Sequence, residues 1–399
     1  MNAEALRPPP LPYNPKMLRW AREWRGRTVE ESAERIGVPR ERVHAWERGD
    51  ERPTVAMARK LADFYGRSFM EFFYDEEPKI VESGLVPDYR IHKGASDPRA
   101  NREILEIQHW AELQRINALD LYEDIQEEVP NFPFDLWASV NEDVEIYAQA
   151  ARKALSFPFA AQRAMKYKDT QDLPNVLRAR MESVGVLVLR ENALTKFEVS
   201  GLTIVQLPLP IIVYAAEAPA RSAFTLLHEF AHIVLRESAI SGPDRERHGL
   251  SHQGKVERWC DKFAAAFLVP RSALEDLRGP PPQKPWDEIN DVTLSAIAKH
   301  FKVSQHAMLI RLVDLKYIEP DFYWKVMRPK FLAEERMWKS RGISKIWASR
   351  VWNQLGHTYT GLVLEALGTG KIQSHQAQAF LGIKNPVHLT TIRQEFGGA

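Results

Sequence analysis

The run Phe-Thr-Leu-Leu-His-Glu-Phe-Ala-His-Ile-Val-Leu, residues 224 to 235, sets His228, Glu229 and His232 in an otherwise apolar stretch. Ionisable groups in an apolar helix are costly unless something satisfies them. His228 and His232 are four positions apart, so on a helix they project from one face, one turn apart. Two imidazoles so placed can ligate one tetrahedral zinc ion. Glu229 lies beside them, able to take a proton from water without ligating the metal. A catalytic zinc also needs a third protein ligand and an open fourth position. Position 238, where an extended His-Glu motif would supply a third histidine, is Ser. Further on, Glu257 and Asp261 share one face of the apolar segment that ends in Phe-Ala-Ala-Ala-Phe-Leu. One of these carboxylates would ligate. The other would accept the second N–H of a ligand histidine and fix its tautomer. His248 and His252, in the polar stretch between, could polarise a substrate carbonyl or be plain loop histidines. Cys260 is the single cysteine and reads as a small buried apolar residue.

A second segment, Thr-Val-Glu-Glu-Ser-Ala-Glu-Arg-Ile-Gly-Val-Pro-Arg-Glu-Arg-Val-His-Ala-Trp-Glu-Arg-Gly, has the rhythm of two short helices around a tight turn. Thr28 with Glu31 predicts a capping box, and Gly37 predicts the stop of the first helix. Val29, Ser32, Ala33 and Ile36 give the first short helix, and Val43 and Trp46 of the second are expected to face inward. Arg40, Glu41, Arg42 and His44 open the second helix, where base contacts are made in a helix-turn-helix. Arginine suits bidentate contacts to guanine. Residues 16 to 60 carry twelve basic and eight acidic side chains, a modest local excess.

The elements that must position these groups follow from pattern. The 399 residues suit two or three domains, and 44% hydrophobic with 27% charged residues is ordinary globular composition. A formal net charge of +1 offers no global field toward nucleic acid or membrane. One cysteine excludes a disulfide framework within the chain and a four-thiolate zinc site. No signal-peptide pattern or membrane-length apolar run is present, so a cytoplasmic protein without membrane partners is expected. Residues 1–15, with Pro-Pro-Pro-Leu-Pro, read as an extended arm. Residues 16–75 read as the helix-turn-helix domain. Residues 76–142 read as a connector with one long amphipathic helix, marked by Ile104, Ile107, Leu113 and Ile116. Residues 143–278 hold two helices, three β-branched strand-like runs and the two apolar helices with the ionisable groups. A Pro-rich linker at 279–285 precedes a helical C-terminal region, 286–399. Within it, residues 293–318 repeat a helix-turn-helix rhythm, read as structural. Trp338, Trp347 and Trp352 read as core or interface. The expected class is α+β, mostly α.

Two resemblances attach to these motifs. The segment from Arg221 through the His-Glu helix to Pro270 resembles the ImmA/IrrE family of zinc metallopeptidases. It matches at Arg221, Phe224, Thr225, His228, Glu229, His232, Glu257, Phe263, Ala264 and Pro270, over about residues 145 to 275. Phe230-Ala231 departs from the family's smaller pair, and Asp261 stands where Asn is frequent. The resemblance implies a gluzincin-like core with one zinc on His228, His232 and Glu257, Asp261 behind the ligands, and Glu229 as catalytic base. It implies a zinc endopeptidase that cleaves a regulatory protein partner, in phage, mobile-element or stress-response circuits. The family also holds antitoxin-like members, partners of a toxin, whose proteolysis is not established. Trp46, Glu47, Gly49 and Pro53 resemble the Xre/Cro-type helix-turn-helix. That implies a five-helix domain, operator DNA as partner through Arg40, Arg42, His44 and Thr28, and a homodimer with residues 99–126 as candidate interface. The expected function is a DNA-binding transcriptional regulator fused to a zinc peptidase. The alternative is an Xre-type repressor or antitoxin whose peptidase-like domain binds a partner without cutting it.

Overall fold

The structure, a computed structural model, describes residues 13–65, 67, 69–76, 98–165, 172–197, 199–241, 251–337 and 347–396. The arm at 1–12, His248 and Trp338 lie outside the described residues. The chain divides into two units.

The first unit holds α1 (Pro15–Trp24), α2 (Val29–Ile36), α3 (Arg40–Arg48), α4 (Val55–Tyr65) and a short 3-10 turn at Phe69–Phe73, the five helical elements expected. Thr28 caps α2 with the full capping box, its hydroxyl accepting from the Glu31 N–H and Glu31 accepting from the Thr28 N–H. Gly37 and Gly49 end α2 and α3 in the left-handed conformation, at φ 80° and 86°. Val43 and Trp46 are fully buried. Glu47, part of the Trp-Glu-x-Gly stop, serves the fold: Arg22 grips it with two bonds of 2.6 and 3.0 Å.

A long helix, α5 (Pro98–Ile125), starts in the first unit and ends in the second. The two isoleucines named on it, Ile104 and Ile107, are buried, whereas Leu113 and Ile116 are 53% and 50% exposed. The buried face continues instead through Ala111, Ala118, Leu121 and Tyr122.

In the second unit, α6 (Val144–Ala154), α7 (Phe159–Ala164) and α8 (Leu173–Glu182) precede the sheet, three helices rather than the two expected. The extra one is a six-residue helix opened by Pro158. The three β-branched runs are β1 (Leu187–Arg190), β2 (Gly201–Ile204) and β3 (Ile211–Tyr214). A fourth strand, β4 (Ala239–Ser241), completes the order β1-β3-β2-β4. β1 runs parallel to β3, and β2 is antiparallel to both β3 and β4. β4 was invisible in the pattern because three residues carry no periodicity.

Helix α9 (Pro219–Leu235) lies against β2 and β3, and α10 (His252–Leu268) packs on α9. Helices α11 (Arg271–Arg278), α12 (Asp291–Phe301) and α13 (Gln305–Asp314) follow. One hydrophobic core runs from Phe132 to Phe331. The Pro-rich stretch expected as a linker thus joins helices that share one core. The remaining helices are α14 (Arg328–Met337), α15 (Trp347–Leu355), α16 (His357–Gly368), α17 (Ser374–Phe380) and α18 (Pro386–Phe396). The expected class, α+β and mostly α, is what the chain adopts. The α12–α13 pair is packed in: His306 of α13 stacks on Phe331 at 4.9 Å and hydrogen-bonds the Tyr323 hydroxyl at 3.0 Å.

Two buried charge arrangements lock helix ends. The last carbonyls of a helix have no intrahelical donors and carry the negative end of its dipole. At α10, Arg152 donates to the Phe267 carbonyl, Gln162 to that of Leu268, and Arg311 to that of Val269 at 3.0 Å. Arg311 is fully buried and is charge-balanced by Glu145 at 2.6 Å and Asp314 at 3.2 Å. The second is the buried pair Arg178–Glu182, 2.9 Å apart on α8. Arg178 donates to the carbonyls of Trp352 and Asn353 at the end of α15, and Glu182 accepts the Thr358 N–H at the start of α16. Each charge meets the helix end of opposite sign. Gly356 is needed between them, since a Cβ there would lie 2.2 Å from Glu182 Oε1.

Two outcomes follow. Arg311→Met leaves Glu145 without its closest buried partner and the Val269 carbonyl without its donor. Chemical denaturation should show the second unit destabilised by about 3–5 kcal/mol. Arg178→Met should speed amide exchange in residues 347–368 before it affects α9.

Candidate metal centre

The site is built between α9, which lies against β2 and β3, and α10, which packs on α9. His228, Glu229 and His232 all sit on α9, where every residue from Ser222 to Leu235 is buried. Glu257 and Asp261 sit on α10, which presents one turn of its acidic face to the histidines. The ring nitrogens His228 Nε2 and His232 Nε2 are 3.2 Å apart. Glu257 Oε2 is 3.2 Å from the first, and Oε1 is 3.3 Å from the second. Ligand atoms about 2.0–2.1 Å from a tetrahedral zinc lie about 3.3 Å from one another. The two ring nitrogens are spaced as ligands of one zinc ion would be, and the Glu257 carboxylate sits against both, one oxygen to each. Among the described residues, this is the group of His, Cys, Asp and Glu able to hold a metal ion.

Hydrogen-bond chemistry points the same way. Asp261 Oδ1 lies 3.0 Å from His228 Nδ1, which assigns the ring proton to Nδ1 and turns the Nε2 lone pair toward Glu257 and His232. Acceptors then face acceptors in a buried space, an arrangement that only a cation or an added proton satisfies. Without metal, the proton takes that place. Burial alone would lower His228, but Asp261 and Glu257 outweigh it and push the ring to about 10. Burial likewise raises Glu257, yet the two histidines hold it down at about 2.

Glu229 stands apart from the triangle. Thr203 of β2 donates to its Oε2 at 2.6 Å. Oε1 is buried and has no hydrogen-bond partner among the described residues. It rests over Gly201, where a Cβ would sit 2.4 Å away. Burial raises its carboxyl above the ordinary range. Ser241 of β4 approaches His232 Nε2 at 3.5 Å. Thr203, Gly201 and Ser241 were not singled out in the sequence. The one available signal was Gly201 inside a β-branched run, which marks close approach of a backbone.

The other residues of interest fall elsewhere. His252 opens α10 at the surface, 3.1 Å from Glu237. Cys260 is fully buried in the core, and burial pushes its thiol well up. Ser238 Oγ accepts the Val205 N–H at 2.9 Å, fastening the chain beside β2. Arg221 and Thr225 both bind Glu217, at 2.8 and 2.9 Å, and so anchor the start of α9. In the first unit, the α3 arginines are exposed, and each has an acidic neighbour. Arg40 Nε lies 3.1 Å from Glu41, and Arg42 Nε 3.1 Å from Glu51. His44 and Thr28 are also exposed.

Taken together, a helix-turn-helix with an exposed, arginine-rich second helix and a buried His-His-Glu group beside a carboxylate support a regulator with a metallopeptidase-like domain. Comparison with protein families agrees. Residues 181–313 match the family described as the IrrE N-terminal-like domain, a peptidase family, and residues 18–72 match the helix-turn-helix family. The family and layout read from the sequence are found in these segments. The first match begins later than expected and extends through α12 and α13. No curated protein matched the chain, and no solved structure did. Among the described residues, no helix is long and apolar enough to cross a membrane.

Zinc binding should release a proton, because His228 must be neutral to ligate. With the ring at about 10 in the metal-free protein, apparent affinity should rise about tenfold per pH unit between about pH 6 and 8. Titration against a competing chelator checks this. Asp261→Asn should weaken zinc by about 10–100-fold, and Glu257→Ala should weaken it further.

Proposed function

We propose that the protein is a DNA-binding regulator whose second unit is a zinc-dependent endopeptidase acting on a protein partner. The observation that carries this reading is the pair of imidazole nitrogens 3.2 Å apart with the Glu257 carboxylate against both, and a separate carboxylate, Glu229, beside them. His228, His232 and Glu257 would hold the metal. When bound, zinc polarises a peptide carbonyl and lowers the pKa of water to about 7.

The chain's own groups do the rest. Thr203 fixes one oxygen of Glu229 and leaves Oε1 to accept a proton from attacking water and return it to the leaving amine. Asp261 holds the His228 tautomer. Arg152, Gln162 and Arg311 keep α10, and so Glu257, in place. In the first unit, Arg40, Arg42 and His44 would enter the major groove, with Thr28 at the helix start beside the phosphates.

The second reading, a regulator or antitoxin that binds a partner without proteolysis, is favoured by one observation: Glu229 and His232 have no exposed surface. The two readings separate in one experiment. Glu229→Gln should keep zinc and DNA binding while slowing cleavage of a candidate partner by about 10²–10⁴-fold. Equal partner binding with no cleavage by the zinc-loaded wild type would support the second reading instead. Arg42→Ala should cost about 1–3 kcal/mol on a duplex selected from a random library, measured by fluorescence anisotropy.

A further inference from the structure

Apart from the metal centre, a cavity of about 610 Å³ opens where α6, the end of α10 and the start of α11 meet. Its size falls within the usual range for small-molecule sites, about 300–1,000 Å³. It starts about nine residues past Glu257 along α10, roughly 13 Å away. Three cations line it: Arg152, Lys153 and Arg271.

Their pairing is unusual. Arg152 is buried, yet no carboxylate among the described residues lies within ion-pair distance of it. Its guanidinium is met only by backbone carbonyls, the Gln162 amide and the faces of Phe157, Phe159 and Phe267. Burial lowers it to about 9, with no carboxylate near to offset that burial. Lys153 is exposed and likewise has no partner among the described residues. Arg271 has only a 3.8 Å approach to a Glu145 oxygen that Arg311 already holds at 2.6 Å. Glu275 is the one lining carboxylate not so engaged. The remaining wall offers the ring of Phe159, two prolines and two serine hydroxyls.

We propose that this cavity binds a small organic anion, its charge met by Arg152, Lys153 and Arg271 and its apolar part by Phe159 and the prolines. Such a ligand would supply the counterion that Arg152 lacks. Because Arg152 also caps α10, the site is joined to the helix that carries Glu257.

The test uses the full chain and the aromatic anion 8-anilinonaphthalene-1-sulfonate, followed by its fluorescence. One saturable site is expected, its affinity reduced at least tenfold in the double variant Lys153→Gln/Arg271→Gln. The pair Lys299→Gln/Lys371→Gln, cations elsewhere on the same unit, should bind as wild type does. Arg152 is left intact, since its removal would disturb the α10 terminus. Glutarate and inorganic phosphate as competitors show whether carboxylate or phosphate is the preferred anion. Absence of a saturable site would overturn the proposal. So would a double variant that binds like wild type, or resistance to both competitors.

Discussion

Two imidazoles and a carboxylate held within 3.3 Å of one another inside an apolar core form the constraint on which the second unit depends. Their ring nitrogens and carboxylate oxygens meet in one buried space, and with Nδ1 of His228 protonated toward Asp261 they cannot all be satisfied without an added proton or a cation. A divalent cation satisfies them best, and a shared proton is the metal-free substitute. Everything nearby serves to hold α9 and α10 at the distance this requires. Glu217 anchors the start of α9 through Arg221 and Thr225. Arg152, Gln162 and Arg311 close the end of α10. The sheet contributes Gly201, whose missing side chain makes room for Glu229, and Thr203, which fixes that carboxylate's other oxygen.

Much of this was legible in the residues because it is local. Histidines four apart on a helix share a face whatever surrounds them, and so do Glu257 and Asp261. The capping box at Thr28 and the glycine stops of α2 and α3 are equally local and took the predicted geometry. What stayed hidden depends on distant packing. Thr203 reaches Glu229 only because β2 lies along α9, and Arg152 meets Phe267 across more than a hundred residues. The strand β4 is three residues long and is defined by its partner β2 alone. Leu113 and Ile116 lie on the far side of α5 from Ile104 and are exposed, because the face that packs is carried on by the small residues Ala111 and Ala118, which leave little trace in an apolar pattern.

The first unit shows a different economy. Its arginines at the opening of α3 are exposed and each lies beside a carboxylate of its own unit. Such surface pairs are worth little in water and yield to stronger partners. Under the proposed reading the same pairs would open on DNA, where a phosphate or a guanine edge offers an arginine two acceptors in place of one. Net charge of the whole chain, +1, agrees with a protein whose affinity for nucleic acid is local rather than global.

The central claim is that His228, His232 and Glu257 are the protein ligands of one metal ion. X-ray absorption at the zinc edge, on full-length protein carrying one equivalent of zinc, tests it most directly. The account predicts a shell of nitrogen and oxygen scatterers at about 2.0–2.1 Å with the outer-shell signature of two imidazoles. It also predicts loss of that spectrum in His232→Ala. A protein that does not retain zinc, or zinc bound through sulfur at about 2.3 Å, would contradict it.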